Sequence, residues 1–462
     1  MSEETAGASP LGSKKVTRLM LQFAIPSIVA MTISSIYNLV DQLFIGRAVG
    51  TLGNAATNVA FPFTTVSIAL ALLFGIGGAS NFNLAMGRGK MEKAARYLGN
   101  ALASLFLCGV ILLVFTEAFA APLLRAFGAT ESVLPYALTY VRITAIGFPF
   151  TITALGGGHL MRADGSPKMT MTCNCVGALI NICLDALFVM VFGWGMAGAA
   201  AATVIGQVVS ACIVFGYMRH SKTVRLVRSD LRLSPVIVKE VASLGTANFC
   251  NQLAMMVVQI VMNNSLTYYG ALSEYGAEIP LASCGIIMKV YQIFFSVVIG
   301  LAQGAQPIES FNYGARQYSR VRQTYRTALI FGGAICIFSF VIFRLFPRQI
   351  LELFGSNTEE YFEFGVLFFK YFMFFTWLNF LQPITANFFT AIGKPKKGIF
   401  LSLTRQLIYI LPLVLILPRF FGIMGILYAA PTADLLAAIT TSIMAAGEFR
   451  LMKKEEVQMA RT

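Results

Sequence analysis

The sequence predicts an all-α polytopic membrane protein with twelve transmembrane helices in two six-helix bundles. Three observations predict this class. Hydrophobic residues fill 57% of the 462 positions and charged residues only 12%, whereas soluble domains carry about 25% charged residues. The apolar residues form runs long enough to cross a bilayer. The second half of the chain also repeats landmarks of the first half, in the same order.

Twelve apolar runs, each of roughly 20 residues or more, predict the individual helices. They cover about residues 19–45, 55–80, 98–120, 136–160, 170–191, 197–217, 242–267, 283–306, 328–346, 362–388, 399–417 and 423–446. Short, turn-rich segments separate most of these runs. The spacing therefore leaves no room for a large soluble domain.

The distribution of the 35 Lys and Arg residues predicts the orientation. The loops on the side of the N-terminus hold most of them, including six between 219 and 239. The opposite loops hold only Arg47, Arg125, Arg344, Arg348 and Arg419. Because cytoplasmic loops collect positive charge, both termini are expected in the cytoplasm. The net charge of +14 follows from the same bias, so no nucleic-acid partner is expected.

Three pairs of segments show the internal repeat. RADGSPK at 162–168 aligns with TAIGKPK at 390–396, and AFGATES at 126–132 aligns with LFGSNTE at 353–359. A third pair aligns residues 85–102 with residues 312–329. Each half holds an even number of helices, so the repeat is parallel, with a pseudo-twofold axis along the membrane normal. Such a repeat suits alternating access, in which two bundles move around a central cavity.

The repeat predicts five segments. They are a flexible N-terminal tail (1–18), an N-terminal bundle (19–217), a cytoplasmic linker (218–240), a C-terminal bundle (241–446) and a cytoplasmic C-terminal tail (447–462).

Ionisable residues inside the runs are the candidate functional residues, because a charge at membrane depth costs several kcal/mol. They are Asp41, Arg142, His159, Asp185, Lys289, Lys370 and Asp434. Asp41 and Asp185 lie at similar depth in the outer halves of two helices. Tyr37 and Asn38 share a polar stripe with Asp41, and Asn181 lies one turn before Asp185.

Two chemistries fit this acidic pair, and the residues alone leave both open. Two carboxyl groups that face one cavity away from water do not both stay ionised, so one of them can carry a proton near neutral pH. An ionised pair surrounded by Asn, Thr and Tyr oxygens can instead hold a sodium ion. A third reading is structural, with Arg142 neutralising one acid. Asp434 is as well explained by a hydrogen bond between helices. Pro26 in the first run is a candidate hinge.

The second half offers candidate lining residues for a substrate cavity. Met255, Gln259 and Met262 share one helix face, and Lys289 and Gln292 share another. Together with Asn38 they would line the cavity, or each stripe could face a neighbouring helix. The 20 Met and 39 Phe residues suit a pocket that adapts to several ligands. The Phe-rich run 362–389 could stack on a flat cation, or simply face lipid.

Several enzyme classes are excluded by missing motifs. The sequence has no Walker A motif, no H-E-x-x-H and no G-x-S-x-G. We therefore expect no enzyme and no cofactor. Transport energy would come from an ion gradient, or the chain would be a passive facilitator. The eight cysteines are interpreted as small packing residues rather than zinc ligands.

Three segments resemble the multidrug and toxic compound extrusion (MATE) family. They are YNLVDQLFIGRAVG at 37–50, NICLDALFV at 181–189 and GMAGAAAAT at 195–203. The resemblance covers essentially the whole chain. It implies a monomeric exporter in the inner membrane of a prokaryote that exchanges drugs or organic cations for protons or sodium ions.

The resemblance also implies roles for individual residues, those of the family branch with coupling acids in the N-terminal lobe. Asp41 and Asp185 match its coupling acids, and Asn181, Thr203 and Tyr140 match their polar neighbours. A sodium ion would bind at Asp41, Asn181, Asp185 and Thr203. His159 stands where the family often has Asn, and a titratable side chain there favours protons. The alternative function is a lipid-linked oligosaccharide flippase, which would need a strongly basic cavity.

Overall fold

The computed structural model describes residues 10–276, 278–353 and 358–459, and this part of the chain is helical with no strand. It contains 11 helices long and apolar enough to cross a membrane, or 12 if a bent pair counts as one span. The predicted fold class and the number of spans are confirmed.

The first bundle is a series of long helices joined by short turns. Its helices are α1 (Val16–Val49), α2 (Thr51–Gly87), α3 (Met91–Ala126), α4 (Leu134–Ala163), α5 (Pro167–Asp185) and α6 (Gly195–Met218). A π-helical segment, Ala186–Val191, continues α5. Pro26 lies inside α1, where it cannot donate the backbone hydrogen bond that a regular helix makes.

The second bundle has more irregular helices. They are α7 (Pro235–Ala271), α8 (Glu278–Gly314), α9 (Tyr318–Leu345), α10 (Glu359–Tyr371), α11 (Leu381–Ala391), α12 (Pro395–Leu403), α13 (Leu411–Ile416) and α14 (Ile423–Met459). The segments Glu359–Tyr371 and Thr376–Ala391 meet at a 42° bend. The π-helical segment Thr404–Ile410 joins α12 to α13. Short helices cover Pro10–Ser13, Pro347–Glu352 and Pro418–Phe421.

Three predicted boundaries differ from the structure. Helix α7 begins at Pro235 rather than at 241, and α14 runs to Met459 through the predicted C-terminal tail. Helix α1 begins at Val16, whereas residues 1–9 of the predicted N-terminal tail lie outside the described residues. The difference arises because a helix can continue past the membrane surface with a polar sequence, which hydropathy does not detect. Residues 354–357 of the LFGSNTE landmark also lie outside the described residues.

The segment between the bundles is fixed to the first bundle. Asp164 is fully buried, and it accepts hydrogen bonds from the backbone N–H groups of Lys222 (2.7 Å) and Thr223 (3.0 Å) and from the Tyr217 hydroxyl (2.6 Å). Asn100 accepts a bond from the Ser234 N–H at 2.8 Å. The start of α7 is fixed to the first bundle as well, because Asn81 Nδ2 donates to the Glu240 carbonyl oxygen at 3.1 Å and Lys93 lies 3.2 Å from the Glu240 carboxylate.

The bundles meet through two related helix pairs, α1 with α8 and α2 with α7. The repeat equates α1 with α7 and α2 with α8, so a pseudo-twofold axis exchanges the two contacts. A Cβ atom on Gly245 would lie 1.8 Å from the Leu73 carbonyl oxygen, and one on Gly77 would lie 2.0 Å from the Val241 carbonyl oxygen. Only glycine permits this approach of two backbones.

These close approaches all lie at one end of the molecule, where α1 begins and α2 ends. We call this end the inner end, after the expectation from the positive charges that it faces the cytoplasm, and we call the contact the inner seal. The glycines of the inner seal are Gly77, Gly87, Gly245, Gly300, Gly304 and Gly314.

The Phe-rich run packs inside the second bundle. Phe364, Phe368 and Phe369 are fully buried in its apolar core. Phe368 also stacks on Phe372, with ring centroids 4.4 Å apart. Most of these rings face neighbouring helices rather than lipid. Phe372 lines the cavity between the bundles, so stacking on a flat cation stays a prediction.

Candidate functional site

A cavity of about 530 Å³ lies between the two bundles, and both line it. Eleven of the predicted site residues are among its lining residues. They are Tyr37, Asn38, Asp41, Tyr140, His159, Asn181, Thr203, Met255, Gln259, Met262 and Gln292. Asp185, Lys289 and Pro26 are not among them.

The two predicted acids meet. The carboxyl groups of Asp41 and Asp185 lie within interaction range of each other, although 143 residues separate them along the chain. Asp185 is fully buried behind Asp41, which is the acid that reaches the cavity. One oxygen of Asp41 and both oxygens of Asp185 have no hydrogen-bond donor among the described residues. The repulsion between two ionised carboxylates in this position would be relieved by a shared proton or by a bound cation.

Neutral oxygen atoms surround this acid pair. Asn181 donates to the Thr203 hydroxyl at 3.3 Å, which leaves the Asn181 amide oxygen without a partner in the described part of the chain. Tyr37 and Tyr140 lie close enough to interact electrostatically with both acids. The described residues contain no cluster of three His, Cys, Asp or Glu side chains. A cation at the acid pair would therefore complete its shell with amide and hydroxyl oxygens, as hard cations accept.

Local backbone geometry contributes to the position of Asp185. It is the last residue of α5, and the π-helical segment Ala186–Val191 follows at once. Single π-helical turns are frequent at functional sites because they rotate the side chains that flank them.

Three predicted charged residues lie elsewhere. Arg142 is exposed and faces Glu117 at 3.9 Å, so it does not neutralise Asp41 or Asp185, and the structural reading of the acid pair is wrong. Lys289 and Lys370 are exposed and absent from the cavity wall. The neighbouring Met288 lines the cavity instead of Lys289, because successive side chains on a helix point about 100° apart.

His159 contacts a different residue from the acid pair. Its Nδ1 accepts a hydrogen bond from Arg162 Nη2 at 2.9 Å. The same Nη2 donates to the Gln303 side-chain oxygen of α8 at 2.9 Å, across the bundle interface. The expectation that His159 acts with the coupling acids has no support in this geometry. Arg162 was not predicted as a site residue, because it follows an apolar run at a position where the sequence indicates a cytoplasmic loop.

A second charged group lines the cavity from the C-terminal bundle. Arg405 Nε lies 2.7 Å from Asp434 Oδ1, and Asp434 is buried. The Asn379 amide nitrogen, in the orientation that satisfies its neighbours, donates to both Asp434 oxygens at 3.1 and 3.2 Å. Arg405 lies on the π-helical segment Thr404–Ile410. Asp434 is therefore half of an ion pair, and Arg405 is a second cavity residue that sequence reasoning assigned to a loop.

A comparison against protein families matches both halves of the chain. A family model described as MatE matches residues 26–187 and 247–415. The chain belongs to the MATE family of transporters. The resemblance predicted from the sequence is thus confirmed, and the chain belongs to a transporter family rather than to an enzyme family.

Curated relatives cover most of the chain. The multidrug export protein MepA of Staphylococcus saprophyticus is 23% identical over 92% of both chains. The MepA protein of Staphylococcus aureus strain MSSA476 is 22% identical over 93% of both chains. The probable multidrug resistance protein YoeA of Bacillus subtilis is 26% identical over 78% of both chains.

Solved structures share the fold. An outward-facing conformation of a multidrug resistance MATE family transporter has a TM-score of 0.89 at 22% identity, covering 96% of this chain and 98% of that one. A MOP superfamily transporter from Pyrococcus furiosus has a TM-score of 0.89 at 21% identity, covering 98% of this chain and 99% of that one.

Proposed function

We propose that this chain is a secondary active exporter of amphipathic organic compounds, including organic cations, and that it exchanges them for protons or sodium ions. The observation that carries the proposal is the acid pair of Asp41 and Asp185 beside the central cavity. Three of the four carboxyl oxygens of the pair lack donors among the described residues, which supports a charge state that depends on a bound proton or sodium ion. The proposed setting is a prokaryotic inner membrane, with the chain acting as a monomer.

The lining of the cavity supports a broad range of substrates. Five methionines and several aromatic side chains contribute apolar surface; the methionines are Met31, Met255, Met262, Met288 and Met373. Unbranched thioether side chains adapt their shape to different ligands. The names of the relatives, multidrug export and multidrug resistance proteins, support the same substrate range.

The proposed cycle assigns opposite charge states to the two halves of the exchange. With both acids ionised, the cavity attracts a cationic compound. Binding of a proton or a sodium ion at Asp41 and Asp185 cancels that attraction, and the compound leaves on the outer side. Asn181 donates a hydrogen bond to Thr203 at 3.3 Å. The side-chain oxygens of these two residues are the neutral ligands proposed for a sodium ion, because hard cations bind oxygen atoms. Pro26 in α1 is the proposed bend that accompanies the change.

The alternative, a lipid-linked oligosaccharide flippase, has less support. A pyrophosphate group requires several convergent cations. The cavity contains two arginines, and one of them, Arg405, is already paired with Asp434.

The proposal is tested with purified protein in liposomes loaded with ethidium, with proton and sodium gradients imposed separately. We expect one gradient to drive ethidium transport and the Asp41→Asn and Asp185→Asn variants to lose the response to it. Glu117→Gln, which changes an exposed acid of α3, is the matched control and should transport normally. Full gradient-driven transport by both Asn variants would show that the acid pair does not couple.

A further inference from the structure

We infer that Arg162, held by Gln303, forms an anion-binding subsite at the inner end of the cavity, and that a carboxylate on an organic substrate binds there. This inference rests on the proposed export function and deepens it, because it specifies a class of substrate. The preferred compounds are amphipathic molecules that carry a carboxylate, including zwitterions, and not only simple organic cations.

Arg162 carries a buried charge without a counter-charge among the described residues. Arg162 is only 2% exposed, yet its two described partners, His159 and Gln303, are neutral. Among the described residues no carboxylate forms an ion pair with it. The other arginine of the cavity, Arg405, has Asp434. A buried charge without a counter-charge is costly, and such residues are retained where they meet a charged ligand.

The hydrogen bonds of Arg162 leave part of its guanidinium group available to a ligand. Both described hydrogen bonds use the same nitrogen, Nη2, at 2.9 Å. Nε and Nη1 have no partner in the described part of the chain, although the side chain lines the cavity. Nε–H and Nη1–H each remain able to donate a charge-assisted hydrogen bond to a carboxylate oxygen. The two neutral partners fix the plane of the guanidinium, so these donors are already oriented.

Arg162 and Gln303 lie beside the inner seal. Gln303 lies on α8 between Gly300 and Gly304, the glycines that pack on α1 in the inner seal. The subsite is therefore at the end of the cavity from which a substrate enters once the seal opens. Tyr140, near the acid pair, precedes Arg162 by six turns of α4, a distance of roughly 30 Å. The subsite and the coupling acids are thus far enough apart to be perturbed independently.

The test uses two dyes that differ in one group. Rhodamine 110 carries a free carboxylate, and rhodamine 123 is its methyl ester. Binding of each dye to the full-length protein in lipid nanodiscs is measured by fluorescence anisotropy, and the affinity ratio of acid to ester is the readout. We expect Arg162→Gln to lower this ratio by roughly tenfold, as expected for the loss of a hydrogen bond to a charged group. Arg142→Gln, the same change at an exposed position of α4, should leave the ratio unchanged.

A second variant keeps the test decisive if Arg162→Gln fails to fold. Gln303→Glu is nearly isosteric and places a carboxylate where the amide oxygen now accepts from Arg162. The new carboxylate should form an ion pair with the Arg162 guanidinium and so abolish the preference for rhodamine 110 over its methyl ester. Equal effects of either variant on both dyes would overturn the inference, as would wild-type protein that binds the ester at least tenfold more tightly than the acid.

Failure of the export proposal gives a different result. If wild-type protein transports neither dye under either gradient, the proposed function is wrong, while the binding ratio still decides the subsite. Conversely, Asp41→Asn should abolish gradient-driven transport and leave the acid-to-ester binding ratio at its wild-type value.

Discussion

Gly300→Ala should open the inner seal. Gly300 lies on α8, and a Cβ atom there would be 2.6 Å from Ile28 Cα, 2.8 Å from Ile28 N and 2.9 Å from the Ser27 carbonyl oxygen. All three atoms belong to the backbone of α1, so no side-chain rotation relieves the overlap. The two helices must separate at this point. In a conformation with the seal open, the same methyl group would meet no such atoms.

The size of the effect follows from these distances. Overpacking a close contact with one methyl group costs about 1–3 kcal/mol, and in this protein the cost falls only on the sealed conformation. Alanine is also favoured over glycine within a helix by roughly 0.5–1 kcal/mol in both conformations, which cancels. We therefore expect the equilibrium to move toward the open seal by roughly 5- to 150-fold, since 1.4 kcal/mol is about a factor of ten.

The assay measures access to α1 at the seal. Ser27 is 1% exposed, and Ser27→Cys introduces a thiol of nearly the same size. Its reaction rate with a membrane-impermeant maleimide, added from the inner side, reports how often the seal opens; the protein with Ser27 intact gives the background from native thiols. Gly300→Ala should raise the rate by at least fivefold.

The matched control is Gly285→Ala on the same helix. Nothing lies within 4 Å of the corresponding Cβ position, so this variant carries the gain in helix propensity without the overlap. Equal labelling rates in the Gly300→Ala and Gly285→Ala backgrounds would refute the reasoning, because the rate would then not depend on the backbone contact between α1 and α8.

Two further predictions concern the ion pair of the cavity and the clamp on the linker. Asp434→Leu should lower the free energy of unfolding by about 1–3 kcal/mol, because the half-buried Arg405 then loses its charged partner. The double variant with Arg405→Met should recover most of the loss in a thermal unfolding assay, and an equal loss in the two proteins would contradict this. Asp164→Leu removes the acceptor of two linker N–H groups and should speed proteolysis within residues 219–234. The neighbouring exposed residue Lys168 provides the control substitution, Lys168→Leu, and equal digestion rates would show that Asp164 does not hold the linker.

The residues of the acid pair show how far sequence reasoning reached. Asp41 and Asp185 were predicted because each interrupts an apolar run. A carboxylate in lipid is energetically costly, so each position by itself indicates a function. The structure brings their side chains together. It also shows that Arg142, at similar depth in the sequence, points away toward Glu117. Hydropathy gives a residue's depth along a helix, whereas the direction of its side chain depends on how that helix is rotated against its neighbours.

Arg162 and Arg405 show the opposite error. Both occur near the ends of apolar runs, so they were counted with the cytoplasmic charges that orient the chain. In the structure α4 extends to Ala163, and a π-helical segment carries Arg405, which places both side chains on the cavity wall. A sequence at the end of a run does not distinguish a loop from a further helical turn, because both tolerate polar residues.

The sequence by itself determined the membrane class, the two-bundle repeat and the acidic pair in the first half, because the cost of each residue in lipid is local and adds along the chain. Only the tertiary structure decided which charges meet: Asp41 with Asp185, Arg405 with Asp434, and Arg162 with neutral partners. It also decided where the bundles close, since the inner seal depends on glycines of two different helices whose backbones approach each other. Such contacts depend on the rotation and spacing of packed helices, which no single segment of the sequence specifies.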